Sequence, residues 1–247
     1  MSDDEKIEPE QAVVAEPSRQ PAFNLPAPLT LLCAALIAVE ALNAFVLNIQ
    51  ARQDVFNFGA FFPYRLIDPG AVDGGWIPLI WTPFTHAFLH SGWDHLLMNV
   101  LWLVIFGTPV ARRYGARGLY AIFLIGAAMG ALAFAATTLP EPQVLVGASG
   151  GIAALTGAAI RFIFQPPVVV VDPDTGEPRM VGRRLGSIAD TFRSRNALFF
   201  SIVWIVLNGI VPLLPALIGM DVQIAWQAHI GGFLTGFLIV PLFERRA

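Results

Sequence analysis

The sequence predicts an all-α membrane protein built as a bundle of six transmembrane helices, and three observations carry that expectation. Charged residues make up only 13% of the 247 residues and hydrophobic ones 55%, at a mean hydropathy of +0.63, whereas soluble proteins carry roughly a quarter charged residues. Six apolar runs, 27–49, 95–113, 118–138, 149–166, 196–217 and 225–243, are separated by charged or turn-forming segments. Each approaches the ~20 residues with which a helix crosses a hydrocarbon core about 30 Å thick. The basic residues, finally, fall almost entirely on one side of those runs, as the positive-inside rule requires.

The elements follow in order. Residues 1–26, with Asp3, Asp4, Glu5, Glu8, Glu10 and Glu16, are acidic and polar and lack a basic stretch leading into an apolar core. They read as a disordered cytosolic tail and not as a cleaved signal, and 27–247 as the six-helix domain. The first span holds one charge, Glu40, for which the sequence offers no partner; it implies a buried site or a water-filled cavity. The loop 50–94 carries Trp76, Trp81 and Trp93 and is expected to lie partly in the outer interface. Spans two and three are separated by Arg112, Arg113 and Arg117, and span three has no charge. Span four ends near Arg161, which is expected to snorkel to the inner surface. The long segment 167–195 contains a valine run and then Asp172-Pro173-Asp174-Thr175-Gly176, a turn signal that suggests a small hairpin. Twelve of the fifteen Lys and Arg residues lie on one side, and only Arg52 and Arg65 on the other. Both termini are therefore expected in the cytosol, in an integral, multi-pass protein of the plasma membrane (the inner membrane in a bacterium).

Composition also excludes classes of function. A net charge of -3 and a pI near 5.8 give no basic surface for nucleic acid. The single cysteine, Cys33, lies in an apolar run and leaves the fold without an intrachain disulfide. No motif calls for a cofactor. His86, His90 and His95 lack the His-Glu-x-x-His pattern of a zinc site, so no metal is expected; His86 and His90 read as ties between the outer loop and the bundle.

In this orientation spans two, four and six all run inward from the outer surface, so their first turns share a depth. They bring His95 and Asn99, then Gly147-Ala148-Ser149-Gly150-Gly151, then His229 to the same level. Polar groups within a membrane are costly unless they face the interior and find partners, which makes them candidates for function. A serine becomes a nucleophile only beside a base, and His229 is the only histidine on spans four to six. Ser149 and His229 are the candidate catalytic pair. His95 and Asn99, at i and i+4, share a helical face and can donate to an oxyanion together with the Ser149 N–H. Gly147, Gly150, Gly232 and Gly236 are the candidate packing residues, since small residues spaced by four let membrane helices approach closely.

These segments resemble the rhomboid family of intramembrane serine proteases. Gly147-Ala148-Ser149-Gly150 looks like the family's nucleophile motif and Ala228-His229-Ile230-Gly231-Gly232 like its base motif. His86-Ala87-Phe88-Leu89-His90 followed by His95-Leu96-Leu97-Met98-Asn99 matches in order and spacing. The resemblance covers most of 27–243. It implies a rhomboid-like six-helix core, transmembrane protein substrates cut near their outer ends within the lipid bilayer, and a Ser-His dyad without an acidic third member. Two positions depart from the family pattern: Trp81-Thr82 stands where Trp-Arg is common, and Ala153 where an aromatic often stacks on the base. The other readings are a catalytically inactive rhomboid-like protein that binds membrane clients, and a small transporter; the polar groups lie too near one surface for a midplane solute site. The segment 218–226, next to the base, is the expected lid.

The orientation is testable in a Cys33→Ser background. A membrane-impermeant maleimide applied to intact cells is expected to label Asp73→Cys and to spare Thr175→Cys; the reverse pattern overturns the assignment.

Overall fold

The computed structural model describes residues 24–173, 175–210 and 224–244. The tail expected at 1–26 therefore lies almost wholly outside the described residues, as does most of the expected lid. Helix α1, Ala27–Ala41, opens on Pro28 in its first turn and runs into a π-helical turn, Leu42–Val46. Helix α2, Ile49–Gly59, follows at once, capped by the Asn48 side chain, which accepts from the Ala51 N–H at 2.9 Å.

The loop 50–94 is thus more regular than its sequence suggests. After α2 come the 3₁₀ turns Pro63–Leu66, Pro69–Ala71 and Ile77–Ile80, then α3, Thr82–Thr85, and a last 3₁₀ turn, His86–Phe88. Pro63, Pro69, Pro78 and Pro83 each sit in the opening turn of one of these pieces, where the missing N–H costs nothing and the fixed φ favours the helical start.

Helix α4, Trp93–Thr138, contains both the second and third predicted spans. Its one non-helical residue is Gly115, at φ 64° and ψ -164°, a left-handed conformation that glycine adopts without Cβ strain. The limbs 93–114 and 116–138 fold back on each other at this residue: a Cβ added at Gly107 on the first would lie 3.7 Å from the Leu119 side chain on the second. Helix α5, Ser149–Ile163, is buried from Gly150 to Phe162 and forms the centre of the bundle.

Beyond it, β1, Pro167–Val171, pairs antiparallel with β2, Pro178–Arg183, in the expected hairpin, with Val171 opposite Pro178 and an irregularity at Val168 and Val169. Helix α6, Ile188–Arg193, carries a capping box between Ser187 and Asp190. Helix α7, Arg195–Ile205, continues into a π-helical turn, Val206–Ile210, and α8, Trp226–Ile239, ends in the 3₁₀ turn Val240–Phe243. Among the described residues three helices are long and apolar enough to cross a membrane, Ala27–Val46, Trp93–Thr138 and Trp226–Phe243; Ser149–Ile163 and Arg195–Ile210 are shorter and apolar.

Helices α5 and α8 meet backbone to backbone. A Cβ added at Gly232 would strike the Gly150 carbonyl oxygen, and one at Gly236 the Ala154 carbonyl oxygen. On its other side α5 meets α4, where a Cβ at Gly126 would strike that of Ala154. Arg161 corrects the snorkelling expectation. It is only 5% exposed; Nε donates to the Gly186 carbonyl at 2.9 Å and Nη1 to the Phe237 carbonyl at 2.7 Å. The guanidinium finds its acceptors inside, so it ties α5 to α8 and to the segment before α6. On the same side Arg113 donates to Glu244 at 2.6 Å, joining the Gly115 turn to the end of α8.

Gly236→Val should lower unfolding stability in detergent by on the order of 1–3 kcal/mol, the usual cost of overpacking. Leu234→Val, at a position 50% exposed, should change it by less than about 0.5 kcal/mol. Equal effects in chemical denaturation would show that the glycine contact does not limit the packing.

Candidate active site

The contact between α5 and α8 fixes the site. Gly147, at φ 116°, turns the chain into α5, so that Ser149 stands in the first turn of that helix. Two anchors hold the segment ahead of it. Gly147 N–H donates to the His86 carbonyl at 2.9 Å, and Phe61 and Leu145 exchange backbone hydrogen bonds of 3.1 and 2.9 Å. One turn into α8, His229 projects toward α5, and its Nε2 lies 2.9 Å from Ser149 Oγ. At that distance the hydroxyl can donate to an unprotonated imidazole. Nδ1 is buried and makes no hydrogen bond of ordinary geometry among the described residues, so none of their carboxylates orients the ring.

His95 and Asn99 stand on the facing limb of α4. The His95 ring packs against Gly147, where an added Cβ would lie 2.9 Å from Nε2, and its Nδ1 is 3.1 Å from Ser91 Oγ. Asn99 is buried, and its Nδ2 donates to the His95 carbonyl at 3.0 Å. That bond uses one amide hydrogen; the second remains available. A cavity of about 420 Å³ is lined by His95, Asn99, Ser149 and His229, with Leu145 and Asn208 among the rest of the wall. It lies at the N-terminus of α5, whose first N–H groups have no partner within the helix and favour negative charge.

Of the predicted residues, Ser149, His229, His95 and Asn99 line this one cavity, Gly147 and Gly150 shape the start of α5, and Gly232 and Gly236 seat α8 against it. The sequence reading passed over Trp204 and Asn208, which enter a smaller pocket beside Ser149 and His229. Asn208 was detectable as a polar residue in an otherwise apolar run. Ala153 is buried at the position where a ring might have stacked on the base, and Trp204 lies across that pocket.

The loop between α1 and α4 is anchored by Arg65. This side chain is fully buried, donating from Nη1 to the carbonyls of Val72, Asp73 and Gly75 at 3.3, 2.7 and 2.8 Å and from Nη2 to that of Asn57 at 2.5 Å. Thr82, by contrast, has a buried hydroxyl without a partner among the described residues. The buried cation of this loop thus stands 17 residues before Thr82 in the chain. Trp81 Nε1 donates to the Phe58 carbonyl at 2.7 Å and Thr85 Oγ1 to that of Gly59 at 2.8 Å, closing α2 onto α3. Among the described residues no three His, Cys, Asp or Glu side chains stand close enough to share a metal ion.

A family model, the Rhomboid domain, matches residues 79–246. The chain belongs to the rhomboid family. It is 28% identical over 214 residues to a Bacillus subtilis (strain 168) protein named "Putative rhomboid protease YdcA", covering 85% of this chain and 89% of that one. It is 33% identical over 84 residues to human Rhomboid-related protein 3, covering 34% of this chain and 20% of that protein. RHOMBOID-like protein 5 of Arabidopsis thaliana is 27% identical over 159 residues, covering 64% and 42%. This rhomboid therefore spans less than half the length of the human and plant relatives, and most of the bacterial one.

Two predictions concern the loop that holds the site. Arg65→Leu leaves four carbonyls without their donor and should cost about 3–5 kcal/mol, with protease nicking of segment 66–77 as the readout; an undiminished resistance would remove Arg65 from this role. Burial pushes the His86 imidazole down to about 4, and its Nδ1 lies 2.9 Å from the Thr82 carbonyl. The rhomboid fold therefore favours neutral His86. That contribution is complete above the unfolded value near 6.5 and is lost as pH falls from there toward 4. The acid-induced loss of thermal stability across this window should shrink in His86→Gln.

Proposed function

We propose that this rhomboid is an intramembrane serine endopeptidase of six transmembrane spans, cleaving transmembrane segments of other membrane proteins near their outer ends. The observation that carries the reading is the 2.9 Å contact between Ser149 Oγ and His229 Nε2 in a cavity also lined by His95, Asn99 and Asn208. The six spans are α1, the two limbs of α4, α5, α7 with its continuation, and α8. Their apolar surfaces and the family membership support the assignment.

In the proposed mechanism His229 takes the Ser149 proton as Oγ attacks the scissile carbonyl. Charge develops on the carbonyl oxygen next to the α5 N-terminus, where the Ser149 N–H, the free amide hydrogen of Asn99 and the His95 ring are the donors. His229 then protonates the leaving amine. Water entering from the cavity mouth, deprotonated by the same imidazole, hydrolyses the acyl-enzyme. Without a carboxylate on Nδ1, the orientation of His229 depends on packing between α8 and α5. A bulky side chain at Gly232 would therefore reduce turnover as well as stability.

A fluorophosphonate probe on detergent-solubilised protein tests this reading, together with cleavage of a reporter transmembrane segment. Labelling is expected in the wild type and lost in Ser149→Ala and His229→Ala. Asn99→Ala should reduce turnover by ~10²-fold, the usual effect of losing one oxyanion donor. Labelling that survives both dyad substitutions excludes the dyad, and client binding without cleavage by the wild type would assign the chain to inactive binding proteins.

A further inference from the structure

Glu40 lies outside the proposed chemistry and lacks any partner. It is 7% exposed, near the outer end of α1, and makes no hydrogen bond or ion pair among the described residues. A buried carboxyl group in that position calls for a ligand. It opens onto a cavity of about 520 Å³ separate from the Ser149 site, enclosed by the α1 end, α2 and the loop 89–92. That volume falls within the range of small-molecule sites.

The lining has three parts. Glu40 brings negative charge, with the Asn43 and Gln53 amides beside it. Arg52 brings positive charge: Nε donates to the Leu47 carbonyl at 3.0 Å and Nη2 to the Ala44 carbonyl at 2.7 Å. These bonds fix the guanidinium in place and leave Nη1 free. The rim is apolar, with Ile49 and Phe56 exposed on the outside of the bundle. A fixed cation, an unpaired anion and an apolar edge within one cavity at membrane-interface depth complement a zwitterionic phospholipid.

We infer that this cavity binds the headgroup of a phosphatidylethanolamine, its ammonium on Glu40, its phosphate on Arg52 and its acyl chains along the apolar rim. Ethanolamine is preferred to choline because a primary ammonium has three N–H donors for the Glu40 carboxylate and the neighbouring amide oxygens, whereas a trimethylated nitrogen has none. The far wall, loop 89–92, leads directly into α4, and its Ser91 Oγ meets His95 Nδ1. The bound lipid therefore braces the segment from which α4 starts. The inference needs no proteolytic activity and stands if the protease reading fails.

The test uses the full chain in detergent, exchanged with equimolar POPE and POPC, with retained lipid counted by native mass spectrometry. POPE is expected to be retained about tenfold over POPC, the equivalent of one charge-assisted hydrogen bond. The preference should disappear in Glu40→Gln, Arg52→Gln should reduce retention of both lipids, and Arg117→Gln, beside the Gly115 turn, should change neither. Asn43→Leu, which removes an amide from the lining without altering its charge, provides a second reading should Glu40→Gln fail to fold, and it should abolish the preference for POPE. Equal retention of the two lipids by the wild type, no retained lipid, or a preference that survives Glu40→Gln or Asn43→Leu overturns the inference.

Discussion

The architecture depends on the close approach of α5 and α8. In a bilayer, lipid tails satisfy apolar side chains as well as a neighbouring helix does, so association rests on close packing and on hydrogen bonds. Gly232 and Gly236 remove the side chains that would hold the helices apart, and the carbonyls of Gly150 and Ala154 occupy the space. Only at that separation can a serine in the first turn of one helix touch a histidine in the first turn of the other. Among the described residues no covalent link or acidic residue enforces the contact; the fit of two backbones sets it.

Two buried arginines act as staples around this contact, and each is satisfied by main-chain carbonyls. Arg65 gathers four of them and gives the loop 57–75 its shape; Arg161 takes two and joins the C-terminal ends of α5 and α8. A guanidinium with well-placed acceptors offsets much of its own desolvation and fixes segments that have little apolar surface to pack. The half-exposed Arg113–Glu244 pair contributes less, in the range of about 0–1 kcal/mol for surface ion pairs.

How much of this was legible in the sequence depends on the range of the interactions. Apolar runs are local, and five of the six predicted spans begin within about two residues of the observed helices; the exception is the third, where α4 runs on through Gly115, whose single left-handed residue was hidden among arginines that read as a loop. The convergence of Ser149, His229, His95 and Asn99 was legible because alternating span directions place first turns at one depth. The arginine acceptors were not, since carbonyls carry no residue signature: Gly186 and Phe237 are far from Arg161 in the chain, and the solvent-seeking expectation failed for that reason. The helical order of the segment 50–94 escaped notice similarly, because it rests on proline-started turns wrapped around one cation.

The Ser149–His229 pair spans 80 residues of sequence. At translation rates of about 5–20 residues per second, His229 leaves the ribosome roughly 4–16 s after Ser149. Throughout that interval the Ser149 hydroxyl has no imidazole beside it. The two groups meet only when α8 docks against α5. Separating the pair along the chain thus delays their contact until assembly of the bundle is nearly complete.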